Sequence, residues 1–269
     1  MCAVRDETTL FHREGFHRDE ELFLPTEAAG NPWGELTGGG PIAGLVARAA
    51  ELSLDEPDLF VARLTVDLHR PVPRRPLAVA TRTARAGKRL RIVEITLTQE
   101  GTEVTRATAH VLRRGEADGE PGTGGVPFPG PRDLPEGSLL PAELGLRWGV
   151  HDVVRVRWVR DQLCTEDTTQ AWMRMPLELL PDERTSALSR TAILVDCINA
   201  GSPAGTLFGP FINSDLTLYL HRAPAGEWLG LEMARDVESS GLGVARARLF
   251  DELGPVGTAQ EAVLVHRLG

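Results

Sequence analysis

An aspartate inside an apolar helical run is the first residue whose chemistry needs an explanation. Asp196 lies in AILVDCI, residues 192–198, where a carboxylate is costly to desolvate unless something pairs with it or uses it. A partly desolvated aspartate holds a proton more tightly and is a stronger base toward water; the plainer alternative is a carboxylate bonded to nearby backbone or to a Ser or Arg. A second feature is the run Gly38, Gly39, Gly40 before Pro41. At a helix start, free N–H groups and the helix dipole favour a negative oxygen, and the missing side chains let a ligand approach the backbone. Gly39 or Gly40 is therefore an oxyanion candidate, the alternative being a tight loop with close helix–sheet packing.

Other residues carry less. His69 and His221 recur at equivalent places in LHR, as do Arg70 and Arg222, which suits framework or surface strand positions better than a catalytic pair. AGSPAG lacks the nucleophile-elbow spacing, and Trp33, Trp172 and Trp228 suit core or pocket walls. Cys2, Cys164 and Cys197 show no zinc spacing, and their odd number fits a reducing compartment. A net charge of −9 argues against nucleic-acid or anionic-membrane surfaces. No 18-residue apolar segment or signal-peptide pattern is present, so a cytoplasmic location without a membrane span is expected.

The elements that must position Asp196 and the glycines come twice. LTVDLHR (64–70) returns as LTLYLHR (216–222), and from residue 64 to 111 the same offset of 152 gives 12 identities in 48 pairs, where ordinary composition gives roughly three or four. Such a period implies two domains, each with its own core. The expected boundaries are 1–115, a Gly/Pro-rich solvated linker over 116–145, and 146–269. Copy one reads as one or two short strands, a helix over TGGGPIAGLVARAAELS with Thr37 as cap and Pro41 in its first turn, and four strands. Copy two repeats this with DVVRVRWV, a helix around ALSRTAILVDCINAG, and four more strands. One helix and a four-stranded antiparallel meander, twice over, is an α+β arrangement with each sheet wrapped round a helix.

TGGGPIAGLVARAA, LHRP and LHRA, AWMRMP, LVDCINA, INSDLTLYLHR and VGTAQEA, in that order along nearly the whole chain, resemble the acyl-CoA thioesterase II-like family, whose members carry two hotdog domains in tandem. The resemblance implies hydrolysis of acyl-CoA thioesters without a metal or cofactor, by a water held among an acid, a small hydroxyl or amide residue and a glutamine. These roles fall on Asp196, Asn213 (with Ser214 adjacent) and Gln260. It also implies an acyl-CoA partner and allows a homo-oligomer of double-hotdog chains. A silent acyl-thioester binder and an enoyl-thioester hydratase are the alternatives. Extending the offset to the helices sets Gly44 opposite Asp196, Val61 opposite Asn213 and Thr108 opposite Gln260. One active site per chain is therefore expected, with copy two's side chains and copy one's glycines.

Overall fold

The computed structural model describes residues 7–17, 20–116, 118, 124–203 and 211–266. Copy one lays down β1 (Phe11–His17) and β2 (Glu20–Pro25), then helix α1 (Gly39–Leu52), then β3 (Leu59–Leu68), β4 (Leu77–Ala86), β5 (Leu90–Gln99) and β6 (Thr102–Arg113). Copy two opens with a one-turn helix α2 (Val150–Val153), β7 (Arg155–Arg160) and β8 (Thr169–Arg174). Helices α3 (Ala187–Val195) and α4 (Ile198–Gly201) follow, then β9 (Phe211–Asn213), β10 (Asp215–Leu220), β11 (Leu229–Val237), β12 (Leu242–Asp251) and β13 (Gly254–Val265). No described helix is long and apolar enough to cross a membrane.

The strands form one antiparallel sheet in the order β1-β2-β4-β5-β6-β3-β10-β13-β12-β11-β8-β7, with β9 beside β13. The order reads the same from either end once each strand is exchanged for its repeat. At its centre Thr65 of β3 faces Thr217 of β10, and their hydroxyls lie 3.3 Å apart. These two residues are 152 apart, so the local two-fold relating the copies passes between them. The starts of β3, β4, β5 and β6 are each matched 152 residues later by β9, β11, β12 and β13. The four strands are not a simple meander: β3 lies against β6 instead of β4, because its other edge must pair with β10 to join the copies. Inward residues such as Leu64, Val66, Leu216 and Leu218 alternate with outward ones, the period-two pattern of a sheet with one buried face. Each half is a hotdog, and the chain is a tandem double hotdog.

The two main helices pack antiparallel on the buried face. Gly40 approaches Ile193 and Asp196, Gly44 approaches Ile193, and Glu51 at the far end meets Ser186. The helices start 148 residues apart, not 152, because the loops between helix and strands differ in length. Matched by their starts, Arg48 and not Gly44 stands where copy two has Asp196. The N-cap of α1 is Gly38 and not Thr37, whose buried hydroxyl has no partner among the described residues and whose N–H bonds Val72 O at 2.7 Å. Pro41 occupies the first turn. Ser186 caps α3 by accepting from Ser189 N at 3.0 Å.

The segment expected as a solvated linker is mostly exposed where it is described, but a few apolar side chains anchor it. Phe128 meets Trp172 and Phe250 edge-on at centroid distances of 5.6 and 5.5 Å, and Trp172 Nε1 donates to Pro129 O at 2.7 Å. Leu139 is buried in the main core. Apolar residues spaced among the glycines and prolines give this stretch something to bury, with no more regular structure than two 3-10 turns at Pro131–Asp133 and Ala142–Leu144.

A Cβ at Gly44 would sit 2.7 Å from Ile193 Cγ1 and 3.1 Å from Leu179 Cδ1. Gly44→Val should force the helices apart at a cost of about 1–3 kcal/mol, seen in thermal unfolding as a Tm lower by several degrees. An unchanged Tm would mean that the helix contact has slack.

Candidate active site

The helix expected to run unbroken around Asp196 stops there. Asp196 is the C-cap of α3, and α4 begins two residues later. The carboxylate at this break is held from both copies. Gly40 N–H of α1 donates to Asp196 Oδ2 at 2.7 Å, and Asn213 Nδ2 of β9 donates to Asp196 Oδ1 at 2.8 Å. Burial raises the Asp196 pKa, while the Asn213 and Gly40 bonds pull it part of the way back. The glycines are explained by space: a Cβ at Gly39 would lie 2.5 Å from Asp196 Oδ1, and one at Gly40 would lie 2.6 Å from Ile193 O.

Asp196 opens on a cavity of about 610 Å³. Gly39 and Asn213 share its wall. Of the two oxyanion candidates, Gly40 spends its N–H on Asp196; the N–H of Gly39, the first helical residue, has no acceptor among the described residues. Asn213 and not Ser214 reaches the acid, since the Ser214 hydroxyl is directed at Ala262 O, 3.5 Å away. The segment between the copies adds Leu139, Leu140, Pro141 and Leu144 to an apolar wall that both copies also line.

Gln260 stands apart from this group. It lies on the exposed outward face of β13, opposite Thr217 and Arg246 in the ladders, while its neighbours Ala259 and Glu261 turn inward. The structure thus brings Asp196, Asn213 and the glycines together and leaves Gln260 outside. The inward residue is Glu261, 1% exposed, whose Oε2 accepts from Asn199 N at 3.2 Å and whose Oε1 has no partner among the described residues. Its pKa is pushed well up by burial, and further by the Asp196 and Asp215 charges.

Sequence reasoning passed over several residues here. Glu261 was hidden behind the neighbouring glutamine, and strand alternation from Ala259 is the signal that finds it. His151 lines the cavity with Nδ1 buried and unbonded and with Nε2 3.2 Å from the Asp152 carboxylate. Burial lowers its pKa, with Asp152 opposing. Arg235 of β11 lines the cavity beside Asn199. His69 and Arg70 also lie on the wall, whereas Arg222 pairs with the buried Asp251 and Trp172 is fully buried.

At the opposite end of the helix pair the groups differ. Arg48 bonds Glu183 through Nε at 2.6 Å and Nη2 at 2.9 Å, and the Ser186 hydroxyl donates to Glu51. Nothing there repeats the carboxylate–amide–glycine arrangement.

The architecture has close relatives among solved structures. A conserved protein of unknown function with a hot dog fold from Alicyclobacillus acidocaldarius is 20% identical, with 98% of each chain covered and a TM-score of 0.74. A Thermobifida fusca YX protein, provisionally described as a thioesterase II, is 18% identical over 97% of this chain and 96% of its own, with a TM-score of 0.74. The acyl-CoA thioesterase II TesB2 of Mycobacterium marinum is 15% identical over 91% and 93%, with a TM-score of 0.65. At these identities the likeness is one of fold. None of the curated proteins matches the chain. Family models match both halves: an acyl-CoA thioesterase N-terminal domain over residues 29–112 and an acyl-CoA thioesterase C-terminal domain over residues 124–265. With the second model alone spanning more than half of its residues and the first covering α1 and nearly all of β3 to β6, the chain belongs to the acyl-CoA thioesterase family.

Proposed function

We propose that this chain hydrolyses acyl-CoA thioesters at one site, in the cavity where Asp196 meets the glycine-led start of α1. The observation that carries the reading is the Asp196 carboxylate, held by Gly40 N–H and Asn213 Nδ2 at the wall of a largely apolar cavity. The thioester carbonyl oxygen is placed at Gly39 N–H, where the helix dipole stabilises the charge that develops on attack. Asp196 takes a proton from water as the water oxygen bonds the carbonyl carbon. Collapse of the tetrahedral intermediate breaks the C–S bond, the thiolate leaves as CoA, and the proton on Asp196 passes to the sulfur. Asn213 fixes the carboxylate by donating to it, so an amide serves without a hydroxyl. Gln260, on the outward face, has no part in this scheme.

Release of free thiol from a panel of acyl-CoAs tests the reading. Asp196→Asn should reduce turnover by about 10²-fold or more while acyl-CoA binding persists; Gln260→Ala should stay within about twofold of wild type, the usual effect of a surface change. Binding without turnover by the wild-type chain would make it an acyl-thioester binder instead.

The pH profile tests the Asn213 contact. Asp196 must be ionised to act as a base, so kcat/KM should fall on acidification through its raised pKa, above the ordinary 3.8. The Asn213 bond favours the ionised form, so Asn213→Ala should move this acidic limb to still higher pH. A limb that stays in place removes Asn213 from the role of tuning the acid.

Glu261 gives a stability test that is independent of turnover. Its folded pKa lies well above the ordinary 4.5, so between those values the folded state binds more protons than the unfolded one and stability declines as pH rises. Glu261→Gln can keep the acceptor for Asn199 N and has no such titration. The difference in unfolding free energy between variant and wild type should therefore grow in the variant's favour as pH rises from 4.5. A constant difference would show that Glu261 ionises alike in both states.

A further inference from the structure

Arg235 is a cation on the cavity wall for which the described residues supply no anion. It projects from β11, and burial lowers its pKa with no carboxylate opposing the shift. Its guanidinium is held only by neutral groups. Nη1 donates to Asn199 O at 3.2 Å and Asn199 Oδ1 at 3.1 Å, Nη2 donates to Pro203 O at 3.4 Å, and the group lies 4.5 Å from the centre of the Phe211 ring. Among the described residues no carboxylate lies within ion-pair distance of it. The other arginines near copy two's sheet centre behave differently: Arg222, Arg246 and Arg248 each have a carboxylate. A half-buried guanidinium fixed by carbonyls and an aromatic face, yet left with its charge uncompensated, is pre-organised for a planar oxyanion.

We infer that Arg235 receives the terminal carboxylate of the acyl chain, so that the preferred substrates are thioesters of dicarboxylic acids, with one end joined to sulfur and the other free. The inference rests on the hydrolysis proposed above and names its substrate class. Asn199, which anchors the guanidinium, follows Asp196 by three residues across the break between α3 and α4, and Asp196, Asn199 and Arg235 line one cavity, so a single acyl chain lies between acid and guanidinium. Of the two carboxyls that could repel such a substrate, burial favours the neutral form of Glu261, and Asp196 is already hydrogen-bonded by Gly40 N–H and Asn213 Nδ2. The phosphates of CoA are better served by Arg70, which is exposed on the cavity wall and has no carboxylate partner among the described residues.

The test compares glutaryl- and adipyl-CoA with pentanoyl- and hexanoyl-CoA, matched in chain length, on wild type, Arg235→Met and Arg235→Lys. Wild type should favour the carboxylated member of each pair in kcat/KM by about 10-fold or more, as a charged hydrogen bond provides. Arg235→Met should abolish that ratio, and Arg235→Lys should restore part of it. Equal or better use of the methyl-ended chains by wild type overturns the inference, as does a loss of the same factor for both classes in Arg235→Met. If no thioester is hydrolysed at all, the hydrolytic reading fails separately. Calorimetry with carboxyalkyl- and alkyl-CoA thioethers then decides: tighter binding of the carboxylated ligand that disappears in Arg235→Met sustains the inference, and equal binding overturns it.

Discussion

The hydrogen bond from Gly40 N–H to Asp196 Oδ2 is the constraint around which this molecule is arranged. It runs from the first turn of one copy's helix to the interrupted helix of the other, at 2.7 Å. For it to form, α1 and α3 must lie antiparallel at close range, so side chains are missing where α1 comes nearest, at Gly39, Gly40 and Gly44. Both helices must also lie on one face of a shared sheet, which the β3–β10 pairing provides. A charged hydrogen bond to a buried carboxylate is stronger than a neutral one, and an acid left there without its donors would carry its full desolvation cost. Site and fold therefore depend on the same contact.

The duplication explains how such a contact can exist at only one end of the helix pair. In an assembly of identical single domains, every group at one end would recur at the other. Within one chain the ends are free to differ. Here one end has the carboxylate, the amide and the Gly39 N–H, which has no acceptor among the described residues, while the other closes over the Arg48–Glu183 pair and the Ser186–Glu51 bond. The symmetric frame survives in the palindromic strand order and in the facing pair Thr65 and Thr217.

Much of this frame was legible because strands and hairpin turns kept their lengths. One offset aligned four strands of each copy, and apolar alternation told which residues face inward. The helices escaped that register because insertions in the preceding and following loops change their offset without disturbing the sheet. Asp196 was conspicuous because a carboxylate within AILVDCI has few plain explanations, and Asn213 came from the family resemblance, aligned through the LHR that follows it. Gln260 and Glu261 show the opposite case. Adjacent strand residues face opposite ways, so a one-residue difference decides between solvent and core, and only the inward course of Ala259 and Val263 identifies which is which. Arg235 gave no local sign at all, since its missing counterion is a property of the surroundings.

Part of the cavity wall comes from the segment between the repeated units. Leu139, Leu140, Pro141 and Leu144 stand on chain that has no counterpart in copy one and that makes no ladder strand. Insertions or exchanges in this stretch change the depth and width of the chamber without shifting a strand register or touching the Gly40–Asp196 contact. Different pieces of chain thus line this part of the cavity and hold the Asp196 carboxylate, so a change in one need not disturb the other.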